Sequence, residues 1–213
     1  EHPVSALVKQ RVYGLALGYE DLNDHDQLRL DPLLAVLCDK PDPLGKTRNR
    51  EQDKGKALAG KSTLNRLELI PESADAKHRY HKINADFAAM DDLLMAVFLE
   101  SYETNPGWIT LDVDATDDRV HGAQEGGYFN AYYGHYCYLP LYIFSGHDVL
   151  CARLRSASED GAAGTLEEVQ RIVGRIRERW PKVRILLRGD SGFCREELMV
   201  WCEANRVYPK THA

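Results

Sequence analysis

The chain has 213 residues, 44% of them hydrophobic and 28% charged, with a formal net charge of −6. That apolar share excludes a disordered chain, and 16 Gly with 9 Pro exclude a collagen-like or low-complexity one. No window approaches the roughly 18 uninterrupted apolar residues that a membrane helix needs.

Residues 4–38 read as helical. Val4, Leu7, Val8, Val12, Leu15 and Leu17 recur near helical spacing. Asp31-Pro32 opens a second apolar run, Leu33 to Cys38, with Asp as cap and Pro in the first turn. The stretch 39–60 is rich in Pro, Lys, Arg and Gly and predicts an exposed loop. Helical patterning returns over Ser62 to Leu69 and Ile83 to Ser101. The latter is capped by Asn84 or Asp86, with Phe87, Met90, Leu93, Leu94, Val97 and Phe98 expected on its buried side. Asn105-Pro106-Gly107 is the strongest breaker and places the expected domain boundary, 1–105 and 106–213.

Beyond that turn the period changes to that of strands. In Trp108 to Asp114, Ile109, Leu111 and Val113 face one way and Thr110, Asp112 and Asp114 the other. Tyr136 to Ser145, the turn Gly146-His147-Asp148 and Val149 to Leu154 predict a hairpin. Thr165 to Trp180 is an amphipathic helix stopped by Pro181. Val183 to Leu187 is a short strand ending in Arg188-Gly189-Asp190, Arg195 to Ala204 is helical, and Val207-Tyr208 begins one more strand. A hairpin followed by alternating helix and strand predicts an α/β fold, a mixed sheet with helices on its faces.

Charge is unevenly placed. Residues 40–66 carry a local balance of +5, with Lys46, Arg48, Arg50, Lys54, Lys56, Lys61 and Arg66 among the cations, and residues 171–188 a balance of +6. Such clusters, rather than total charge, attract phosphates. Five cysteines are widely spread with no C-x-x-C pair, which fits free thiols in a reducing cytosol. No basic-then-apolar leader opens the chain. It begins at Glu1 without an initiator Met, which suggests a segment of something longer.

Gly55 to Ser62 satisfies G-x-x-x-x-G-K-[ST]. A phosphate-cradling loop needs a buried strand before it, and Thr47 to Lys54 cannot supply one. The segment reads instead as a basic loop entering a helix. The carboxylates carry more. Asp112 and Asp114 end one strand and Asp190 ends another. A charged group there must be solvated, paired or bound to a cation. Two such strand ends side by side suit Mg²⁺, which takes one or two carboxylates and keeps waters for phosphate oxygens. His121 and Gln124 follow in a Gly-rich loop. Tyr128, Tyr132, Tyr133, Tyr136, Tyr138 and Tyr142 read first as core and sheet-face packing, with base stacking the alternative.

Three segments together resemble a known family: Leu111 to Thr116, the His121-Gly122-Ala123-Gln124-Glu125 that follows, and Leu187-Arg188-Gly189-Asp190-Ser191-Gly192-Phe193. They are similar to the DDE transposases of bacterial insertion sequences, nearest the group-one, IS4-like branch. Gly18 to Asp26 and Leu58 to Glu68 resemble the N-terminal region of that family. The resemblance implies a ribonuclease-H-like catalytic domain preceded by an all-helical DNA-binding region. It also implies Mg²⁺ or Mn²⁺ as cofactor, and terminal-repeat and target DNA as partners of a cytoplasmic homodimer. By position it makes Asp114 the first catalytic and metal-binding acid and Asp190 the second, with Asp112 the fallback for the first. Lys46, Arg48, Arg50, Lys54, Lys56, Lys61, Arg66 and Arg188 would hold DNA phosphates. The third family acid, a Glu on a helix well beyond the fourth strand, has no match before Ala213. Glu196, Glu197 and Glu203 come too early. The expectation is therefore a C-terminally truncated transposase. The alternative is a non-catalytic DNA-binding remnant.

Overall fold

The computed structural model describes residues 2–68, 86–122, 124 and 126–212. Leu69, Ile83 and Asn84, which bounded two predicted helices, lie outside them. The chain forms two compact units, Glu1–Ala85 and Asp86–Ala213.

The described part of the first unit is helical. It holds α1 (Val4–Ala16), a 3-10 turn (Leu22–Asp24), α2 (His25–Leu28), α3 (Pro32–Leu37), a 3-10 turn (Glu51–Asp53) and α4 (Lys61–Glu68). The start of α3 follows its sequence signal. The Asp31 carboxylate accepts from the N–H groups of Leu33 at 2.8 Å and Leu34 at 3.1 Å, and Pro32 opens the helix. Of the apolar stripe of α1, Leu7 faces the core and most of the rest does not. Ala6, Leu7, Gln10 and Gly14 are buried, while Val4, Val12 and Leu15 are exposed. The cause is a buried amide. The Gln10 side chain accepts from the Ala59 N–H at 3.0 Å and donates to the Ala59 carbonyl at 2.8 Å, and its nitrogen lies 3.1 Å from His25 Nδ1. Paired in this way, polar groups can occupy the interior without penalty. Gly14 is needed beside them, since a Cβ there would lie 2.9 Å from the His25 ring. The expected exposed loop also ends inside the unit. Ala57 and Leu58 pack with Leu34, Ala35 and Cys38, and Ala59 packs with Leu7, Leu64 and Leu67.

The second unit opens with α5 (Phe87–Glu100) and then alternates. The strands are β1 (Trp108–Ala115), β2 (Asp118–Arg119), β3 (Tyr128–Asn130), β4 (His135–Tyr138), β5 (Leu141–Ser145) and β6 (Asp148–Arg153). After these come α6 (Thr165–Arg179), β7 (Arg184–Asp190), α7 (Glu196–Ala204) and β8 (Val207–His212). The main sheet runs β6-β5-β1-β7-β8, with β5 antiparallel to both neighbours and β1, β7 and β8 parallel. Three antiparallel strands extended by two parallel ones, reached through crossover helices, form the ribonuclease-H-like arrangement. Buried under α5, α6 and α7 are Ile109, Leu111 and Val113 of β1, Leu141 and Ile143 of β5, and Ile185 and Leu187 of β7. These residues all lie on one face of the sheet.

The predicted strand Tyr136 to Ser145 is interrupted at Leu139-Pro140, because Pro140 has no N–H to give a ladder. Its two halves nevertheless keep one register: Ala115 pairs Leu141, and Asp118 pairs Tyr138. The outer half becomes part of a second sheet, β2-β4-β3, which periodicity did not announce. Gly146, at φ +61°, makes the tight turn between β5 and β6.

The expected face of α5 is also corrected. Asp91, Met95 and Phe98 are buried, whereas Phe87, Met90, Leu93 and Val97 are exposed. Apolar residues occupy most positions round this helix, so its pattern could not choose a face. An ion-pair network chooses it. Arg153 pairs with Asp91 and, at 2.8 Å, with Glu168, which also takes Arg171 at 2.9 Å. Burial alone would raise the Glu168 pKa, but the hydrogen bonds from Arg153 and Arg171 outweigh it and hold the group below the usual glutamate value. Arg153→Met should cost up to about 3 kcal/mol in urea unfolding, since it leaves the mostly buried Asp91 with Arg171 at 4.0 Å as its remaining cation and takes from Glu168 one of its two guanidinium partners. A carboxylate with a depressed folded pKa stabilises above its unfolded value and loses that contribution as pH falls through the folded one. Stability should therefore decline below the ordinary glutamate range, and Glu168→Gln should remove part of that decline.

Candidate functional site

Strand β1 pairs in parallel with β7, with Leu111 opposite Leu187 and Asp112 opposite Arg188. Carrying that register two residues further sets Asp114 beside Asp190, on strands roughly 4.8 Å apart. Side chains alternate along a strand, so Asp112, Asp114, Arg188 and Asp190 share the face away from the helices. The buried partners Leu111, Val113, Ile185 and Leu187 hold this assignment in place. A slip of one residue would turn the acids into the core.

Each acid has a different environment. Asp114 is exposed, and its carboxylate has no hydrogen bond or ion pair with a described residue. Asp190 accepts through Oδ1 from the Gly192 N–H at 2.7 Å, capping the 3-10 turn Ser191–Phe193. Its Oδ2 has no partner among the described residues. Two glycines make this turn possible. A Cβ on Gly192 would lie 2.9 Å from Asp190 Oδ1, and one on Gly189 would lie 3.2 Å from the Phe193 ring, which folds into the core. Asp112 is engaged instead by a fork from Arg188, with Nε to Oδ1 at 2.5 Å and Nη2 to Oδ2 at 2.7 Å. Of the two aspartates on β1, Asp114 is the one with open oxygens.

The residues around this face are less convergent. Asp117 pairs with His135 Nε2 at 2.7 Å, a partnership that spacing did not suggest. His121 and Gln124 lie exposed in their loop. Among the described residues no three His, Cys, Asp or Glu side chains gather into a metal cage, and Glu196, Glu197 and Glu203 lie exposed on α7. The tyrosine run divides by face. Cys137 points inward against Leu139 and Ala157, while Tyr128, Tyr132 and Tyr136 are exposed rather than core. Phe129 and Tyr136 pair across strands with ring centroids 5.5 Å apart.

The basic residues separate into two kinds. In the first unit, Arg48, Arg50 and Arg66 line an open cavity of about 630 Å³ with His2 and Lys40. Lys46 is exposed, Lys54 pairs with Glu51 at 2.6 Å, and Lys56 donates to the Gln52 carbonyl. Lys61 donates to Asn23 at 2.9 Å, and its backbone N–H meets Asp26 Oδ1 at 3.2 Å. A protein carboxylate thus fills the helix start where a nucleotide phosphate would sit, and a 3-10 turn stands where the motif needs a strand. In the second unit the basic stretch is largely committed to internal contacts. Arg171 bonds Glu168 and the Leu150 carbonyl, Arg175 lies near Asp92 and Glu178, and Arg184 stacks 4.1 Å over the Trp108 ring. Arg188 and Asp112 are 41% and 35% exposed. Breaking their fork with Asp112→Ala should therefore have little effect on stability, read as a small shift of the urea midpoint at constant slope.

Comparison with known proteins adds a family. The sequence model described as transposase DDE domain group 1 matches residues 1–209. No curated protein matches significantly. Among solved structures, a Mos1 transposase paired-end complex with the left transposon end is 14% identical at a TM-score of 0.34, covering 86% of this chain and 58% of that one. The catalytic domain of Mos1 mariner transposase is 12% identical at 0.35, covering 62% and 64%. A Mos1 mariner paired-end complex with Mn is 14% identical at 0.34, covering 87% and 60%. The chain thus spans less than two thirds of the length of these proteins. The family match runs through both units, and the chain belongs to the group 1 family of DDE-domain transposases.

Proposed function

We propose that this chain carries two acids of a metal-dependent phosphodiester-transfer site, Asp114 and Asp190, in a transposase acting on DNA. The observation that carries this reading is their shared face at neighbouring strand ends, reached by one parallel register. The donor set fits a hard cation. Asp114 offers both carboxylate oxygens and Asp190 one, all acceptors, and Mg²⁺ or Mn²⁺ takes such oxygens alongside water. Bound there, the metal would supply activation of an attacking oxygen and stabilisation of a leaving one.

The chain's own residues do the positioning. Gly192 N–H fixes one Asp190 oxygen and so aims the other. Asp112 holds Arg188 beside the pair, where the guanidinium offsets repulsion between the two acids and keeps Nη1 for a phosphate oxygen. Lys46, Arg48, Arg50, Lys54, Lys56, Lys61 and Arg66 of the first unit supply cations for the duplex backbone. The finer reading is cleavage at insertion-sequence ends followed by strand transfer to target DNA, by a homodimer working in the cytoplasm. Among the described residues no helix is long and apolar enough to cross a membrane.

A second reading, a DNA-binding remnant that occupies ends without cutting them, is favoured by one observation: no third acid joins the pair among the described residues. Nicking of supercoiled DNA with Mn²⁺ separates the two. Asp114→Asn and Asp190→Asn should each lower nicking on the order of 100-fold or more while leaving gel-shift binding intact. Undiminished nicking by either variant rejects the assignment. Binding without nicking in the unsubstituted chain supports the remnant.

A further inference from the structure

The open cavity of the first unit contains a mismatch of hydrogen-bonding groups. Lys40 Nζ lies 3.0 Å from His2 Nδ1, and Arg48 Nη2 lies 3.2 Å from His2 Nε2. Ammonium and guanidinium groups only donate, and a neutral imidazole has one accepting nitrogen. One contact therefore sets a donor against a donor, and protonating His2 would make it two. No carboxylate among the described residues forms an ion pair with Lys40, Arg48 or Arg50 within 4.0 Å. Asp42 and Asp53 are the acids of the lining. Oδ2 of Asp42 already accepts from the Thr47 N–H at 2.6 Å and hydroxyl at 2.8 Å. Burial, with Lys40 and Arg48 beside it, pushes the His2 imidazole down to about 4. Burial and Arg48 likewise lower Lys40. Three half-buried basic groups crowd one another, and among the described residues the two cations share the single accepting nitrogen of one imidazole.

We propose that this cavity is an anion site that seats a phosphate group between Lys40 and Arg48, with Arg50 at its edge. The phosphate oxygens supply the acceptors that one imidazole cannot provide twice, and they turn the crowding of like charges into charge-assisted hydrogen bonds. The choice of DNA as the source of that phosphate rests on the function proposed above. The site itself does not, since a free phosphate presents the same oxygens.

The test uses the full chain, inorganic phosphate by titration calorimetry, and a short random-sequence duplex by fluorescence anisotropy across a salt series. Saturable phosphate binding is expected, lost in Arg48→Gln and Lys40→Met and kept in Lys40→Arg. Duplex binding should weaken about tenfold in each neutralising variant, and the salt slope should fall by about 1. Thermal unfolding should show that Lys40→Met is no less stable, because it relieves crowding around His2. Phosphate binding that depends on Lys40 and Arg48, without any duplex binding, keeps the site and removes DNA as its ligand. Duplex binding that both variants leave unchanged, with no phosphate binding, overturns the site and leaves the DNA reading standing.

Discussion

The parallel pairing of β1 with β7 is the constraint on which the second unit depends. It is the one ladder that joins the antiparallel half of the sheet to the parallel half. Its inner face buries Leu111 and Val113 beside Ile185 and Leu187, and its outer face carries every charged group of the candidate site. Apolar burial and acid placement are thus two consequences of a single register. Because strand side chains alternate, neither can change without the other.

Fixing a register does not by itself orient a carboxylate. That is left to the chain just past the strand end, where the absence of two Cβ atoms lets Phe193 fold under and Gly192 N–H turn back to Asp190. Arg188 binds Asp112 on the same face and so removes the nearest competing acid. The motif Arg188 to Phe193 thereby combines packing, turn geometry and charge pairing in six consecutive residues. The mixed use explains why no one of its residue types would have been diagnostic alone.

In the first unit a polar contact orients the helix α1 over the apolar clusters. The Gln10 amide, buried against Ala59 and His25, decides which side of α1 faces in, and the exposed Val4, Val12 and Leu15 follow from that choice. Asp26 at the start of α4 similarly accounts for Gly60-Lys61 as architecture, since the helix end meets a side-chain carboxylate. The same unit leaves Lys40 and Arg48 facing one imidazole, and among the described residues neither cation forms an ion pair with a carboxylate, although Asp42 and Asp53 line the same cavity.

Sequence by itself determined the strand alternation of β1, the cap of α3, the hairpin turn at Gly146, the mixed sheet and the family. Each is encoded locally, by period, by a capping side chain or by a contiguous motif. It could not decide the inward faces of α1 and α5, because these depend on Gln10 and Asp91 finding partners far along the chain. It also could not tell that Asp112 is engaged while Asp114 is open, as that follows from Arg188 arriving on a neighbouring strand. Tertiary structure decided these points for one physical reason: whether a polar group can be buried, or is left free, depends on what stands opposite it, and period and composition do not contain that information.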